Sequence, residues 1–112
     1  MKILSKFKQA LAIGATSATL LLFATMPVSA HTSLYRLDGG KIPMYYAPTD
    51  QIAVKVWSPN GTWFDMHCWV DFEWYKGNYW TNRWFWGQEY SGGYWGYVNA
   101  SYVANQTTVP HC

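Results

Sequence analysis

The stretch of sequence that decides the fold reads IAVKVWSPNGTWFDMHCWV and runs from residue 52 to residue 70. Apolar side chains alternate through residues 52–57, a period of two that is typical of a β-strand. The turn sequence SPNG at residues 58–61 has proline at its second position and glycine at its fourth. Alternation then resumes in residues 64–70, so strand, turn and strand together predict a β-hairpin. The residues that share one face of the second strand are Phe64, Met66, Cys68 and Val70.

The chain beyond this segment continues as strands and turns. Residues 71–78 are predicted to form a loop, because Lys-Gly-Asn follows a charged stretch. Residues 79–86 are rich in side chains that suit a pleated surface, and residues 94–98 follow a Ser-Gly-Gly turn. Closely spaced strands with turn residues between them, and no helix, predict an all-β fold, either a small barrel or a sandwich.

The first thirty residues have the organisation of a signal peptide. Three lysines precede an apolar run at residues 10–26, and Val-Ser-Ala at residues 28–30 follows Pro27. This pattern predicts cleavage after Ala30 and a secreted, extracellular protein with no membrane association afterwards. A retained membrane anchor is the alternative, but the apolar stretch at residues 11–23 is short for a helix that crosses a bilayer.

Removal of the signal peptide changes the charge of the chain. The remaining 82 residues contain five Lys or Arg against six Asp or Glu, which gives a formal net charge of −1. No run of basic residues remains that could neutralise phosphates, so nucleic acid is not an expected partner. Attraction to anionic membranes loses its support for the same reason.

Cys68 and Cys112 are the only cysteines of the chain. A domain of 82 residues has a modest core and often needs a covalent link, and an exported chain meets oxidising conditions. A disulfide between them would stabilise the fold by roughly 4 kcal/mol in the chain-entropy model. The alternatives are a reactive thiol at Cys68, next to His67, or a metal site.

The last third of the chain resembles a known family. The run GYWGYVNASYV at residues 93–103 resembles the closing segment of SH3-like barrels, where a glycine turn leads to a Gly-aromatic-aliphatic strand, a one-turn 3₁₀ helix and a last short strand. Arg-Trp-Phe at residues 83–85 resembles the central strand of bacterial SH3-like (SH3b-type) domains. Residues 102–112 are similar to the ending of secreted bacterial members that finish on a cysteine. Residues 42–48 keep the proline of the family's opening segment and lose its arginine.

The resemblance implies a domain organisation and a ligand site. We expect a flexible segment at residues 31–40 and an SH3-like barrel of about five strands at residues 41–112. In SH3-like barrels the ligand groove is an aromatic shelf suited to extended peptides. The candidate shelf residues implied here are Tyr45, Tyr46, Trp84 and Tyr102.

The aromatic content is the feature that points most directly to function. Twenty of the 82 residues are Phe, Trp or Tyr, more than a small barrel can enclose. Alternation places Trp63 and Trp69 outside, and if Phe85 points inward then Trp84 and Trp86 share the opposite face. Exposed aromatic clusters bind sugars, peptides or proteins. The alternative is that these rings replace aliphatic side chains in the core.

The sequence shows no catalytic set. Asp65 and His67 share a strand face without a nucleophile to complete them, and Asp71 and Glu73 are expected to be a charged loop rather than a glycosidase pair. A copper site at His31, as a new N-terminus, would need ligands from elsewhere. We therefore expect no enzyme activity, no metal and no cofactor.

Two functions fit these observations. The first is a secreted, non-enzymatic binding module, a monomer whose partner is a cell-wall polymer (peptidoglycan) or a peptide or protein ligand. The second is a secreted Trp-rich antimicrobial or toxin-like effector, although such peptides usually carry marked positive charge.

Overall fold

The computed structural model describes residues 30–112, in which antiparallel strands form one sheet that curls into a half-barrel. The strands are β1 Ala30–Ser33, β2 Ile42–Tyr45, β3 Val54–Ser58, β4 Trp63–Lys76, β5 Trp80–Glu89 and β6 Trp95–Asn99. Their order across the sheet is β1-β4-β5-β6-β2-β3. A 3₁₀ turn, Ala100–Tyr102, follows β6. The all-β fold predicted from the sequence is confirmed, with six strands in place of about five.

The two strands predicted within residues 52–70 are present, but they do not pair with each other. β3 pairs with β2, and β4 pairs with β1 and β5, so the predicted hairpin is wrong. The turn between them carries the chain across the opening of the curled sheet. It is held there by backbone hydrogen bonds, in which Leu34 donates to Thr62 and Gly61 donates to Leu34, each at 2.8 Å.

Two segments that were predicted to lack strands contribute to the sheet. Within residues 31–40, β1 is paired with β4, where Thr32 lies opposite Phe64, so this part of the segment is not a flexible leader. The predicted loop at residues 71–78 is largely strand, because β4 continues to Lys76 beside β5. β1 and β4 are distant in the sequence, and the pairing of β4 with β5 is irregular beyond Asp71. Local alternation reveals neither pairing. The predicted signal peptide covers residues 1–30, of which residues 1–29 lie outside the described residues, and Ala30 begins β1.

A β-bulge in β4 decides which of its side chains face the core. Met66 lies opposite Gly87 and Cys68 lies opposite Trp86, so β4 carries one extra residue between these pairs. The alternation therefore reverses beyond the bulge, and Trp69 packs against the core. The prediction that Trp69 faces outward is wrong for this reason.

The C-terminal tail is fastened to β4 next to β1. The disulfide between Cys68 and Cys112 is present, with an S–S distance of 2.11 Å and a Cα–Cα distance of 4.9 Å. Backbone hydrogen bonds flank it, since Trp69 donates to Pro110 at 3.0 Å and Cys112 donates to Trp69 at 2.9 Å. The tail thus continues the edge of the sheet beyond Ala30, where β1 begins, and the predicted disulfide is confirmed.

The 3₁₀ turn that the family resemblance implies is present after β6, whereas the last short strand that it implies is reduced to a single bridge. The 3₁₀ turn is capped by Asn99, whose side chain accepts a hydrogen bond from the Ser101 backbone at 3.1 Å. Val103 then forms a single bridge with Leu34. No helix in the described part of the chain is long and apolar enough to cross a membrane.

Candidate binding surface

Three of the four residues predicted to form an exposed shelf are buried. Tyr45, Trp84 and Tyr102 are 6%, 0% and 2% exposed, whereas Tyr46 is 64% exposed. The structure brings the three buried rings together, because Tyr75 contacts each of them with ring centroids 5.5–6.5 Å apart. These rings follow the alternative interpretation of the aromatic content, since they replace aliphatic side chains in the core. In this conformation they do not form an exposed shelf.

The end of β4 covers these rings. Beyond Asp71 the register of β4 shifts again, and Tyr75 lies over the sheet with its hydroxyl 2.9 Å from that of Tyr102. The Trp84 indole N–H donates to the Glu73 carbonyl at 2.8 Å. Burial, followed by the contact with Tyr75, raises the pKa of Tyr45 and of Tyr102. The hydroxyl groups of Tyr75 and Tyr102 and the indole N–H of Trp84 therefore have partners inside the cluster or on β4.

A different set of aromatic side chains lies on the face of the sheet that points away from the core. Asp65 lies between Phe64 and Met66, which are both fully buried, so its side chain and those in register with it point outward. We call this surface the outer band. It consists of His31, Trp63, Asp65, His67, Trp86, Gln88, Tyr90, Trp95 and Tyr97.

One end of the outer band is built around His31. Its ring stacks on Trp63 with centroids 4.7 Å apart and planes 19° apart, and lies 5.5 Å from the ring of Tyr90. Its Nδ1 atom is 2.7 Å from an oxygen of Asp65. Trp63 and Tyr90 are 55% and 48% exposed, so ring faces are open to solvent although the rings hold one another in place.

The other end of the outer band is a run of half-buried rings. His67 meets Trp95 edge-on at 4.8 Å, and Trp95 stacks on Trp86 at 6.0 Å. Trp86 lies 5.0 Å from Tyr97. The prediction that Trp86 faces away from Phe85 is confirmed by this arrangement, because Phe85 is in the core.

Tyr46 extends the outer band towards β3. The Lys55 ammonium lies 5.0 Å from the centre of the Tyr46 ring and donates to the Trp95 carbonyl at 2.5 Å. A cation over a ring face is attracted by the ring quadrupole. Lys55 therefore links the one exposed residue of the predicted shelf to the outer band.

Asp65 is the acidic group of the outer band. The Tyr90 hydroxyl donates to it at 2.6 Å, and His31 contacts its other oxygen. These hydrogen bonds, with that of Tyr90 the larger, hold the pKa of Asp65 below its usual value. Asp65 is therefore a carboxylate at neutral pH, with accepting capacity beyond these two contacts.

The buried carboxylate of Glu89 fixes the turn that carries Tyr90 and leads to Trp95. It accepts hydrogen bonds from the Gly92 and Tyr94 backbone at 2.9 Å, and others from Ser58 and Ser91. Burial alone would raise the pKa of Glu89, but these hydrogen bonds outweigh it and the net shift is downward. The geometry of the turn at residues 90–94 therefore depends on the ionised side chain of Glu89 beneath it.

A second exposed aromatic surface lies on the two-stranded ribbon formed by the ends of β4 and β5. Phe72, Trp74 and Trp80 are 61–63% exposed, and Lys76 lies opposite Trp80. This ribbon face also carries Lys76, and its exposed rings make it a second candidate for a ligand-binding surface.

The other sequence candidates have structural partners. Asp71 is in β4 rather than in a loop, and it accepts two hydrogen bonds from Arg83 at 2.7 and 2.9 Å. Within residues 30–112, no group of three or more His, Cys, Asp and Glu side chains could hold a metal ion. His31 and His67 act instead as members of the outer band.

Sequence reasoning missed the part of the surface that depends on strand pairing. Alternation in Trp95-Gly96-Tyr97-Val98 was a signal that could have assigned Trp95 and Tyr97 to one face. No local signal could have placed His31 beside Asp65, because that contact depends on β1 joining β4. The chain matches no protein-family model, no curated protein and no solved structure.

Proposed function

We propose that this chain is a secreted, non-enzymatic binding module that attaches to cell-wall polymer through the outer band. The observation that carries the proposal is the continuous set of half-exposed rings and polar groups across the face of the sheet. Its rings are already held by their neighbours, as His31 is by Trp63 and Asp65. Binding therefore loses little side-chain entropy, which favours affinity.

The outer band is a better candidate than the ribbon face for a specific ligand. Specific sites combine apolar contact with a few placed polar groups, and the band provides Asp65, His67 and Gln88 among its rings. The predicted export and the resemblance to bacterial SH3-like domains support the cell wall as the location of the ligand. The disulfide is consistent with an oxidising compartment.

The test is retention of the oxidised protein on insoluble peptidoglycan. We expect saturable retention, and a loss of about tenfold in affinity for Trp63→Ala, because truncation of an aromatic side chain at a binding hot spot costs about 1.4 kcal/mol or more. Trp74→Ala is the matched control, since both tryptophans lie in β4 and are 55% and 61% exposed. No retention, or a loss in the Trp74 variant alone, would contradict the proposal. Growth inhibition of bacteria without retention would favour the effector.

A further inference from the structure

A row of side chains crosses four strands within the outer band. His31 lies opposite Asp65, Asp65 opposite Gln88, and Gln88 opposite Trp95. Neighbouring strands are about 4.8 Å apart, so the row is roughly 14 Å long. That length suits a short, extended ligand rather than a single small molecule.

The polar members of the row match hydroxyl and amide groups. Asp65 is a carboxylate that accepts hydrogen bonds, and the imidazole of His31 uses only Nδ1 in its contact with Asp65. The Gln88 amide donates to the Gly93 carbonyl at 3.1 Å through its nitrogen, which leaves the amide oxygen as an acceptor. Adjacent donors and acceptors flanked by ring faces complement a sugar, which has hydroxyl groups at its rim and C–H groups on its faces.

The same surface is poorly suited to a peptide. Peptides that bind to sheets usually do so at an edge, where backbone groups are unpaired. β4 and β5 are interior strands of the sheet, and their backbone groups are already paired on both sides over this row. The outer band contains no Lys or Arg to match the carboxylates of a peptide stem, and Lys55 lies at its margin.

We infer that the outer band recognises the glycan strand of the cell wall, with His31, Asp65 and Gln88 bonding to sugar hydroxyl or acetamido groups and Trp63, Trp86 and Trp95 stacking on sugar rings. This inference rests on the proposed function and specifies its ligand. The ligand class is an N-acetylated oligosaccharide.

The experiment compares three competitors for the protein bound to whole peptidoglycan: glycan strands freed of peptide, soluble stem peptides, and oligomers of N-acetylglucosamine. We expect the glycan strands and the oligomers to compete, and the peptides not to. The oligomers should also change the tryptophan fluorescence saturably. Gln88→Ala and Asp65→Asn should each weaken oligomer binding at least fivefold, with Gln51→Ala, in an exposed loop, as the control.

The outcomes separate the two proposals. Retention on whole peptidoglycan that only stem peptides compete for would overturn the glycan inference and leave the proposed function standing. Oligomer binding that is unchanged in both Gln88→Ala and Asp65→Asn would also overturn it. No retention on whole peptidoglycan would overturn the proposed function and this inference with it. Circular dichroism and the melting temperature of each variant would show that a loss of binding is not a loss of fold.

Discussion

Replacement of Trp84 by alanine should destabilise the fold strongly, although the family resemblance implies that Trp84 is an exposed residue of a ligand-binding shelf. The ring is 0% exposed and meets Tyr45 edge-on at 5.8 Å and Tyr75 at 5.5 Å. Truncation of a buried tryptophan to alanine costs about 3–5 kcal/mol. The whole stability of a domain of this size is roughly 4–12 kcal/mol, so the variant should be close to unfolding.

A second variant separates the ring from its hydrogen bond. Trp84→Phe keeps most of the apolar volume but removes the N–H that donates to Glu73 at 2.8 Å. The carbonyl loses its partner in a partly buried site, which costs about 1–3 kcal/mol. We expect Trp84→Phe to lie between the native protein and Trp84→Ala.

The assay is urea unfolding followed by far-ultraviolet circular dichroism, because the fluorescence of the remaining tryptophans would change with the substitution. Trp74→Ala is the control, since its ring is 61% exposed and surface changes usually stay within about 0.5 kcal/mol. If Trp84→Ala were as stable as Trp74→Ala, the Trp84 ring would not be buried. The exposed shelf implied by the family resemblance would then regain support.

Two further predictions concern the groups that hold the turn and the tail. Glu89→Gln should destabilise the protein by about 2–3 kcal/mol at neutral pH, because an amide cannot accept all the hydrogen bonds that the carboxylate accepts. Since the pKa of Glu89 is lowered in the folded state, its contribution is present above the ordinary value of 4.5 and is lost as the pH falls through the folded value. Stability measured from pH 7 to pH 3 should therefore fall less steeply in Glu89→Gln, and equal slopes would argue against an ionised Glu89. Replacement of both Cys68 and Cys112 by serine should lower the free energy of unfolding by about 4 kcal/mol, given their separation of 44 residues. An unchanged urea midpoint would show that linking the C-terminal tail to β4 does not stabilise the protein.

The positions of some strands were predictable from the sequence, but their pairing was not. Alternation located most of β3 and the start of β4, because side-chain period is a local property. The partner of β3 is β2, a strand of four residues whose Ile42-Pro43-Met44-Tyr45 sequence has no alternation, since every residue in it is buried. Which strands join is decided by contacts between distant parts of the chain.

The sequence predicts that exposed aromatic side chains form the site, but it does not show which residues these are. An excess of rings over core volume correctly indicated that some rings are exposed, and Trp63 and Tyr46 are among them. The family resemblance selected Trp84 and Tyr102, which the end of β4 covers in this protein. Trp and Tyr occur both in the core and on the surface, so the residue type does not show where a ring lies. The course of β4 decides which of these rings are covered.

The bulge in β4 makes the effect of a deletion depend on its position in the strand. If His67 were deleted, Met66 and Cys68 would become neighbours, as Gly87 and Trp86 are in β5, so the later pairs and the disulfide would be kept. Deletion of Val70 would instead move Asp71 out of its register with Arg83, because a shift of one residue turns a side chain to the other face of the sheet. A single codon deletion should therefore be tolerated at the bulge and act as a much larger lesion beyond it.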